Sequence, residues 1–156
     1  MSRAVDRVAE AARRLGLEID VMRFPEGTKT AADAATAVGC DVGQIVKSLV
    51  FMADGDPILA LTSGANRADT TKLARLLRAS TVRRASPEEA RAATGFAIGG
   101  TPPFGHPVQL RVLVDEDLLA HGEVWAAAGT PDAVFPIGPE ELLRSSGGVA
   151  ADLAER

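Results

Sequence analysis

Apolar residues recur at helical spacing from the start of the chain. Val5, Val8, Ala12 and Leu15 share one face, and Gly16 supplies a stop signal, which predicts a first helix. Ile19 to Phe24 then reads as a strand ended by a turn at Pro25-Glu26-Gly27. Thr30 is placed to cap a short helix over 31–38, with Asp33 in its first turn and Gly39 just beyond its end. The clearest local signal follows. The apolar run Ile45 to Met52, the turn residues Asp54-Gly55-Asp56-Pro57 and the second run Ile58 to Thr62 predict a β-hairpin.

Helical periodicity returns over Asp69 to Arg78 through Leu73, Leu76 and Leu77, and Val82 lies in a short candidate strand. Ser86-Pro87-Glu88-Glu89 is a capping box with proline at the first helical position, predicting a helix to about Thr94. A turn-rich loop occupies Gly99 to Pro107. The strand expected over Val108 to Val114 sets Gln109, Arg111 and Leu113 against an apolar face. Val124 to Ala128 and Ala133 to Ile137 read as short strands, Pro139 to Arg144 as a last helix, and the tail from Gly147 as a fraying end. Strands occur both in hairpins and between helices, without sustained β-α alternation or repeat. The expected fold is α+β: a single mixed sheet, curved or barrel-like, with surrounding helices. No linker-like stretch interrupts residues 1–156, so one domain is expected.

Composition narrows the class. The 156 residues are 46% hydrophobic and 24% charged, with no apolar run approaching the roughly 18 residues that span a bilayer. No signal peptide is evident at the N-terminus, and Cys40 is the only cysteine, so a cytoplasmic protein without a membrane partner is expected. A net charge of −4 argues against a broad basic surface for DNA or RNA and leaves room only for a small, local RNA contact. Among 17 basic residues only Lys29, Lys47 and Lys72 are lysines, which singles out each lysine for inspection.

Lys47 shares a strand face with Ile45, Leu49 and Phe51, an apolar setting in which an unpaired ammonium is costly and its pKa falls. It either serves chemistry or guards a sheet edge. Lys47-Ser48 is not a phosphate-binding loop, because Gln44-Ile45-Val46 stands where that loop needs glycine. Gly99-Gly-Thr-Pro-Pro-Phe-Gly-His-Pro107 is stiff and exposes few amides, which suits either a ligand cradle or an ordinary connection. His106 closes that loop as a ligand contact or a turn-stabilising group, while His121 reads as a solvated helix end. Two separated histidines and one cysteine do not make a zinc site, and no Gly-x-Ser-x-Gly elbow supports a serine triad. Asn66 or Asp69 is a candidate helix cap, and the small residues Ala126 to Pro131 either line a pocket or permit close packing.

Taken together, Gln44-Ile-Val-Lys-Ser-Leu-Val-Phe51, the Gly99 to His106 loop and Ala128-Gly-Thr-Pro131 resemble the YbaK/EbsC family, related to the editing domain inserted in bacterial prolyl-tRNA synthetases. The similarity runs from the first helix to the region of Pro136. It implies a mixed α+β fold and hydrolysis of the ester between a mischarged amino acid and the tRNA 3′ end, without metal or cofactor. By this resemblance Lys47 is the catalytic residue, and Gly99, Gly100, Thr101, Pro103, His106 and Gly129 bind substrate. Ala127 and Ala128 depart from the YbaK pattern, in which a serine flanks the later glycine turn. Their size points to a pocket for alanine or another small side chain on tRNA(Pro) or a different tRNA. The implied partners are the aminoacyl-tRNA acceptor end and an aminoacyl-tRNA synthetase. The alternative is a non-catalytic module that binds an aminoacyl group, a tRNA end or a synthetase.

Overall fold

The structure, a computed structural model, describes residues 3–24 and 30–156; the turn expected at Pro25 to Gly27, and Lys29, lie outside the described residues. Helix α1 (Arg3–Arg14) buries Val5, Val8 and Ala12, and Gly16 takes a left-handed φ of 78° just past its end. The strand expected over 19–24 shrinks to β1 (Met22–Arg23), because only Met22 and Arg23 enter the ladder with β7, while the Phe24 amide makes one further bond to the Asp132 carbonyl. Ile19 and Val21 contribute side chains to the core instead. Helix α2 (Ala31–Val38) is fastened as its sequence predicts. The Asp33 amide donates to Thr30 Oγ1 at 3.1 Å, the Thr30 amide donates to Asp33 Oδ2 at 3.2 Å, and Gly39 closes the other end.

After a 3-10 turn at Val42–Gln44 the hairpin forms from β2 (Val46–Ala53) and β3 (Asp56–Ser63), in register from Val46 opposite Ser63 to Ala53 opposite Asp56. Its two-residue turn needs positive φ at both positions, and Asp54 at 49° and Gly55 at 87° supply it. Then come α3 (Thr70–Leu77), β4 (Val82–Arg84), α4 (Pro87–Thr94), β5 (Arg111–Asp115), a 3-10 turn at Glu116–Ala120, β6 (Val124–Ala127), β7 (Ala133–Ile137), α5 (Pro139–Ser146) and β8 (Val149–Ala151). Asp69 caps α3, and the Ser86–Glu89 box caps α4.

The mixed α+β fold is as expected, but its strands lie in two sheets. Five form a mixed sheet in the order β4-β2-β3-β5-β8, and three form an antiparallel sheet in the order β1-β7-β6. Among the described residues a single bridge, Ile45 to Trp125, joins them, and neither sheet closes into a barrel. The strand expected from Val108 begins only at Arg111. Val108 is 69% exposed, and the Gln109 side chain donates to the carbonyls of Leu110 and Ser146 outside any ladder. The tail does not fray: β8 pairs in parallel with β5, Leu153 and Ala154 are fully buried, and Lys72 Nζ holds the Ala154 carbonyl at 2.7 Å.

Alternation along the hairpin divides the interior. Val46, Val50, Leu59 and Leu61 join Val112 and Val114 in a core packed with α1, α4 and the smaller sheet. Phe51, Ala53, Ile58 and Ala60 face the other way, against Leu73 and Leu77 of α3 and Leu153 of the tail. Lys47 and Leu49 stand on this second face, at the end that α3 leaves uncovered.

Candidate active site

Among the described residues strand β4 pairs with β2 only at Phe51–Ala53, and the backbone pairing with β6 is an isolated bridge from Ile45, just before β2, to Trp125. Between those attachments no strand covers the edge of β2 among the described residues. A cleft of about 580 Å³ opens there, within the roughly 300–1,000 Å³ usual for small-ligand sites. Its walls include Ala31 and Ala34 of α2, Ile98 and Gly99 of the Gly/Pro loop, and Ala127 and Val134 of the smaller sheet. The Ala85 amide donates to the Val50 carbonyl at 3.0 Å, so the even-numbered residues of β2 direct their backbone groups toward this edge. Ser48 therefore presents its amide and carbonyl to the cleft. Its hydroxyl is buried and has no hydrogen-bond partner among the described residues. An unmet buried hydroxyl costs about 1–3 kcal/mol, so a ligand that engages it recovers that energy.

Lys47 also borders the cleft. Its Nζ donates to the backbone carbonyl of Asn66 at 2.5 Å, and a polar clamp sets that carbonyl. Asn66 Nδ2 donates to Asp115 Oδ2 at 2.9 Å and to Asp117 Oδ2 at 2.8 Å, the one amide orientation that gives both carboxylates a proton. Asp115, fully buried at the end of β5, also accepts from the amides of Ser63 and Asp117, and Arg156 pairs with Asp117 at 2.9 Å. These carboxylates are committed to other donors. Among the described residues none forms an ion pair with Lys47. Burial holds the Lys47 ammonium below the usual lysine range, the positive charges of Arg84 and Arg67 add to that, and Asp115 offsets part of it. The result is a partly desolvated cation, positioned by a backbone acceptor and paired with no carboxylate among the described residues.

The clamp has a testable consequence. Asn66→Asp preserves shape but replaces the shared donor with a third carboxylate, so a stability loss of about 2–3 kcal/mol is expected in denaturant unfolding. Asn66→Asp unfolding at the wild-type denaturant midpoint would show that the clamp does not hold this loop.

Of the residues implicated by sequence, Lys47, Gly99 and Thr101 come together at the cleft. Thr101 is almost fully buried and donates to the Ala97 carbonyl at 3.3 Å. Gly100 and Gly129 stand behind this wall. The Gly129 amide donates to the Gly100 carbonyl at 2.9 Å, and Gly129, with φ of +107°, packs against the backbone of Ala4 and Val5. Pro103 is buried in the same loop and does not line the cleft. His106 does not line it either. Its Nε2–H donates to the Pro102 carbonyl at 2.8 Å and so closes the loop, the acceptor fixing which ring nitrogen carries the proton. Ala127 borders the cleft, whereas Ala128 is fully buried in the core.

Burial lowers the His106 pKa, partly opposed by the Pro102 carbonyl, which favours the charged ring. Below the ordinary value of 6.5 the unfolded chain takes up a proton that the folded chain still refuses. Stability therefore falls as pH drops through that window and levels off below the folded pKa. The melting temperature of wild type should fall more between pH 7 and pH 5 than that of His106→Asn; parallel curves would refute this.

Sequence reasoning missed three neighbours of the cleft: Ser48, Arg84 and the first turn of α2. Ser48 carried a usable signal, a hydroxyl inside an apolar run beside an equally misplaced lysine. Arg84 carried none, because the chain is rich in arginine and the pairing of β4 with β2 is non-local.

The profile of the aminoacyl-tRNA editing domain matches residues 25–145, well over half of the chain. The chain belongs to this family. The editing domain is 30% identical over 129 residues to the uncharacterized protein YwhH of Bacillus subtilis (strain 168), spanning 83% of this chain and 82% of that protein. It is 35% identical over 92 residues to the proline–tRNA ligase of Nitratidesulfovibrio vulgaris (strain DP4), spanning 59% of this chain but only 16% of the ligase. Among solved structures, a proposed trans-editing enzyme for prolyl tRNA synthetase superposes with a TM-score of 0.95 at 49% identity, covering 100% of this chain and 99% of that one. The hypothetical protein APE2540 superposes with a TM-score of 0.88 at 29% identity, covering 96% of this chain and 99% of that one. Among the described residues of the editing domain, no helix is long and apolar enough to cross a membrane.

Proposed function

We propose that this editing domain acts in trans in the cytoplasm as an aminoacyl-tRNA deacylase, hydrolysing the ester that joins a wrongly attached small amino acid to the 3′ end of tRNA(Pro) or a similar tRNA. The observation that carries this reading is Lys47 beside the free edge of β2. A partly desolvated cation there meets an apolar cleft with wall residues from Gly99 and Thr101. The amino acid enters the cleft between the alanines of α2 and Ala127, and Ser48 offers its amide, carbonyl and hydroxyl to the aminoacyl group. Lys47 stabilises the charge that develops on the ester carbonyl oxygen.

Water, oriented by a hydroxyl of the substrate, adds to that carbon and gives up a proton. The tetrahedral intermediate then collapses with cleavage of the ester C–O bond, and the ribose oxygen leaves with a proton. With no histidine or free carboxylate among the described residues beside Lys47, the chain contributes position and electrostatics rather than a protein nucleophile. Gly100, Pro103, His106 and Gly129 support the substrate wall from behind. The reaction as written needs no metal or cofactor, and an aminoacyl-tRNA synthetase is the expected protein partner.

The experiment is a panel of tRNAs charged with alanine, cysteine or serine, tRNA(Pro) among them, followed for release of the amino acid. Release from at least one pair, faster than spontaneous hydrolysis, is expected. No release from any pair, with RNA binding retained, would make the protein a binding module instead.

A further inference from the structure

Lys47 borders a second cleft as well as the first. It lies on the α3 face of the sheet, has a volume of about 540 Å³ and is bounded by Lys47, Leu49, Phe51, Arg67, Arg84 and the start of α3. Arg84 sits opposite Phe51 in the β2–β4 register, and its guanidinium lies 5.6 Å from the Phe51 ring centroid. It is exposed and donates to no carboxylate among the described residues. Arg67, on the clamped loop that also positions Lys47, is exposed and pairs with Glu155 at 3.3 Å. The carboxylates lining this cleft are already occupied: Glu155 by Arg67, and Asp69 by the amides of Thr71 and Lys72. Three cations converge with two carboxylates, one of them paired with Arg67, which leaves the cleft net positive on a chain whose net charge is −4.

The two clefts share Lys47, Leu49 and Arg84, so they form one continuous track across β2. We propose that the second cleft seats the phosphodiester backbone of the single-stranded RNA 3′ end, with Arg84 and Arg67 as its phosphate contacts. This rests on the deacylase reading above. If the aminoacyl group fills the first cleft and its ester lies at Lys47, the attached strand leaves across Lys47 toward the side where the guanidiniums stand. A guanidinium stacked on an aromatic face keeps its fork of donors free for phosphate oxygens. The small footprint reconciles an acidic protein with an RNA substrate, because only the phosphates nearest the ester need counter-charges.

The test uses the full chain and an uncharged, fluorescently labelled RNA hairpin ending in a single-stranded CCA, measured by anisotropy over a range of salt. Arg84→Gln and Arg67→Gln should each weaken binding about 5- to 10-fold at low salt. Each should also reduce the slope of log affinity against log salt by about 0.7, the loss of one single-strand phosphate contact. Arg13→Gln, on α1 outside both clefts, should bind like wild type. Both target side chains are exposed, and unchanged melting temperatures would show that the fold is intact. Unaltered affinity and slope in both cleft variants would overturn the proposal, as would an equal loss in Arg13→Gln. The outcome is separable from the deacylase reading. Arginine-dependent RNA binding without amino-acid release from any charged tRNA would leave this site standing and remove the enzyme. Release with no dependence on Arg67 or Arg84 in RNA binding would do the reverse.

Discussion

Lys47→Ala is expected to lower the rate of amino-acid release by about 100- to 1,000-fold, the usual effect of removing one preorganised donor from a developing oxyanion. The argument begins with what holds the ammonium. Its partner is a backbone carbonyl, not a carboxylate, so its positive charge is not cancelled within the protein. That carbonyl belongs to a loop anchored by Asn66, Asp115 and Asp117, so the cation is held in place before substrate arrives. Burial and two nearby guanidiniums weaken its hold on the proton, which makes it a better hydrogen-bond donor than a solvated lysine.

Truncation unpairs no carboxylate and frees only the part-buried Asn66 carbonyl, so Lys47→Ala should stay folded with a stability loss of about 1 kcal/mol. Lys47→Arg separates charge from geometry. It retains the charge, but a planar fork does not reproduce the placement of a single ammonium, so most of the loss should remain. A folded Lys47→Ala variant that releases amino acid at the wild-type rate would eliminate the mechanism.

What the chain reveals before folding follows the range over which each signal acts. The caps at Thr30 and Ser86 and the Asp54-Gly55 turn are contained in four-residue windows, and each appears where the residues predict it. Lys47 was legible for a different reason, as a charge inside an apolar run. The missed features depend on partners far along the chain. The tail becomes β8 because β5 offers it a parallel edge, and two sheets replace one because, among the described residues, the pairing toward β6 stops at the isolated Ile45–Trp125 bridge just before β2. The Asn66 clamp joins residues 49 and 51 positions apart, so its chemistry is invisible until the loop lies against β5 and the turn after it. The Gly/Pro loop shows both sides at once. Its stiffness was readable, but only the structure separates Gly99 and Thr101, which face the cleft, from Gly100, Pro103 and His106, which do not line it.

Gly129→Ala should produce the largest loss of stability among the glycine substitutions around the site. An added Cβ would lie 2.7 Å from both the carbonyl carbon and the oxygen of Ala4, and the position has a φ of +107° that side chains rarely adopt. Both obstacles are backbone, so no rotamer change relieves them: either α1 withdraws or the turn deforms. Backbone strain of about 1–3 kcal/mol and overpacking of about 1–3 kcal/mol combine to roughly 4 kcal/mol. That is a large part of the ~5–15 kcal/mol that stabilises a typical domain, and it corresponds to a fall in Tm of roughly 8–16 °C. Gly122→Ala is the control, since a Cβ there meets nothing within 4 Å and the backbone is not left-handed. Equal melting temperatures for the two variants would show that the packing of this turn on α1 is not tight. The same substitution connects stability to the site. Gly129 holds Gly100 by its amide, and Gly100 in turn admits no Cβ, because one would lie 2.6 Å from the Gly129 carbonyl oxygen. A shift of this turn therefore passes to Gly99 and Thr101 at the cleft wall, so any Gly129→Ala protein that remains folded should also release amino acid more slowly.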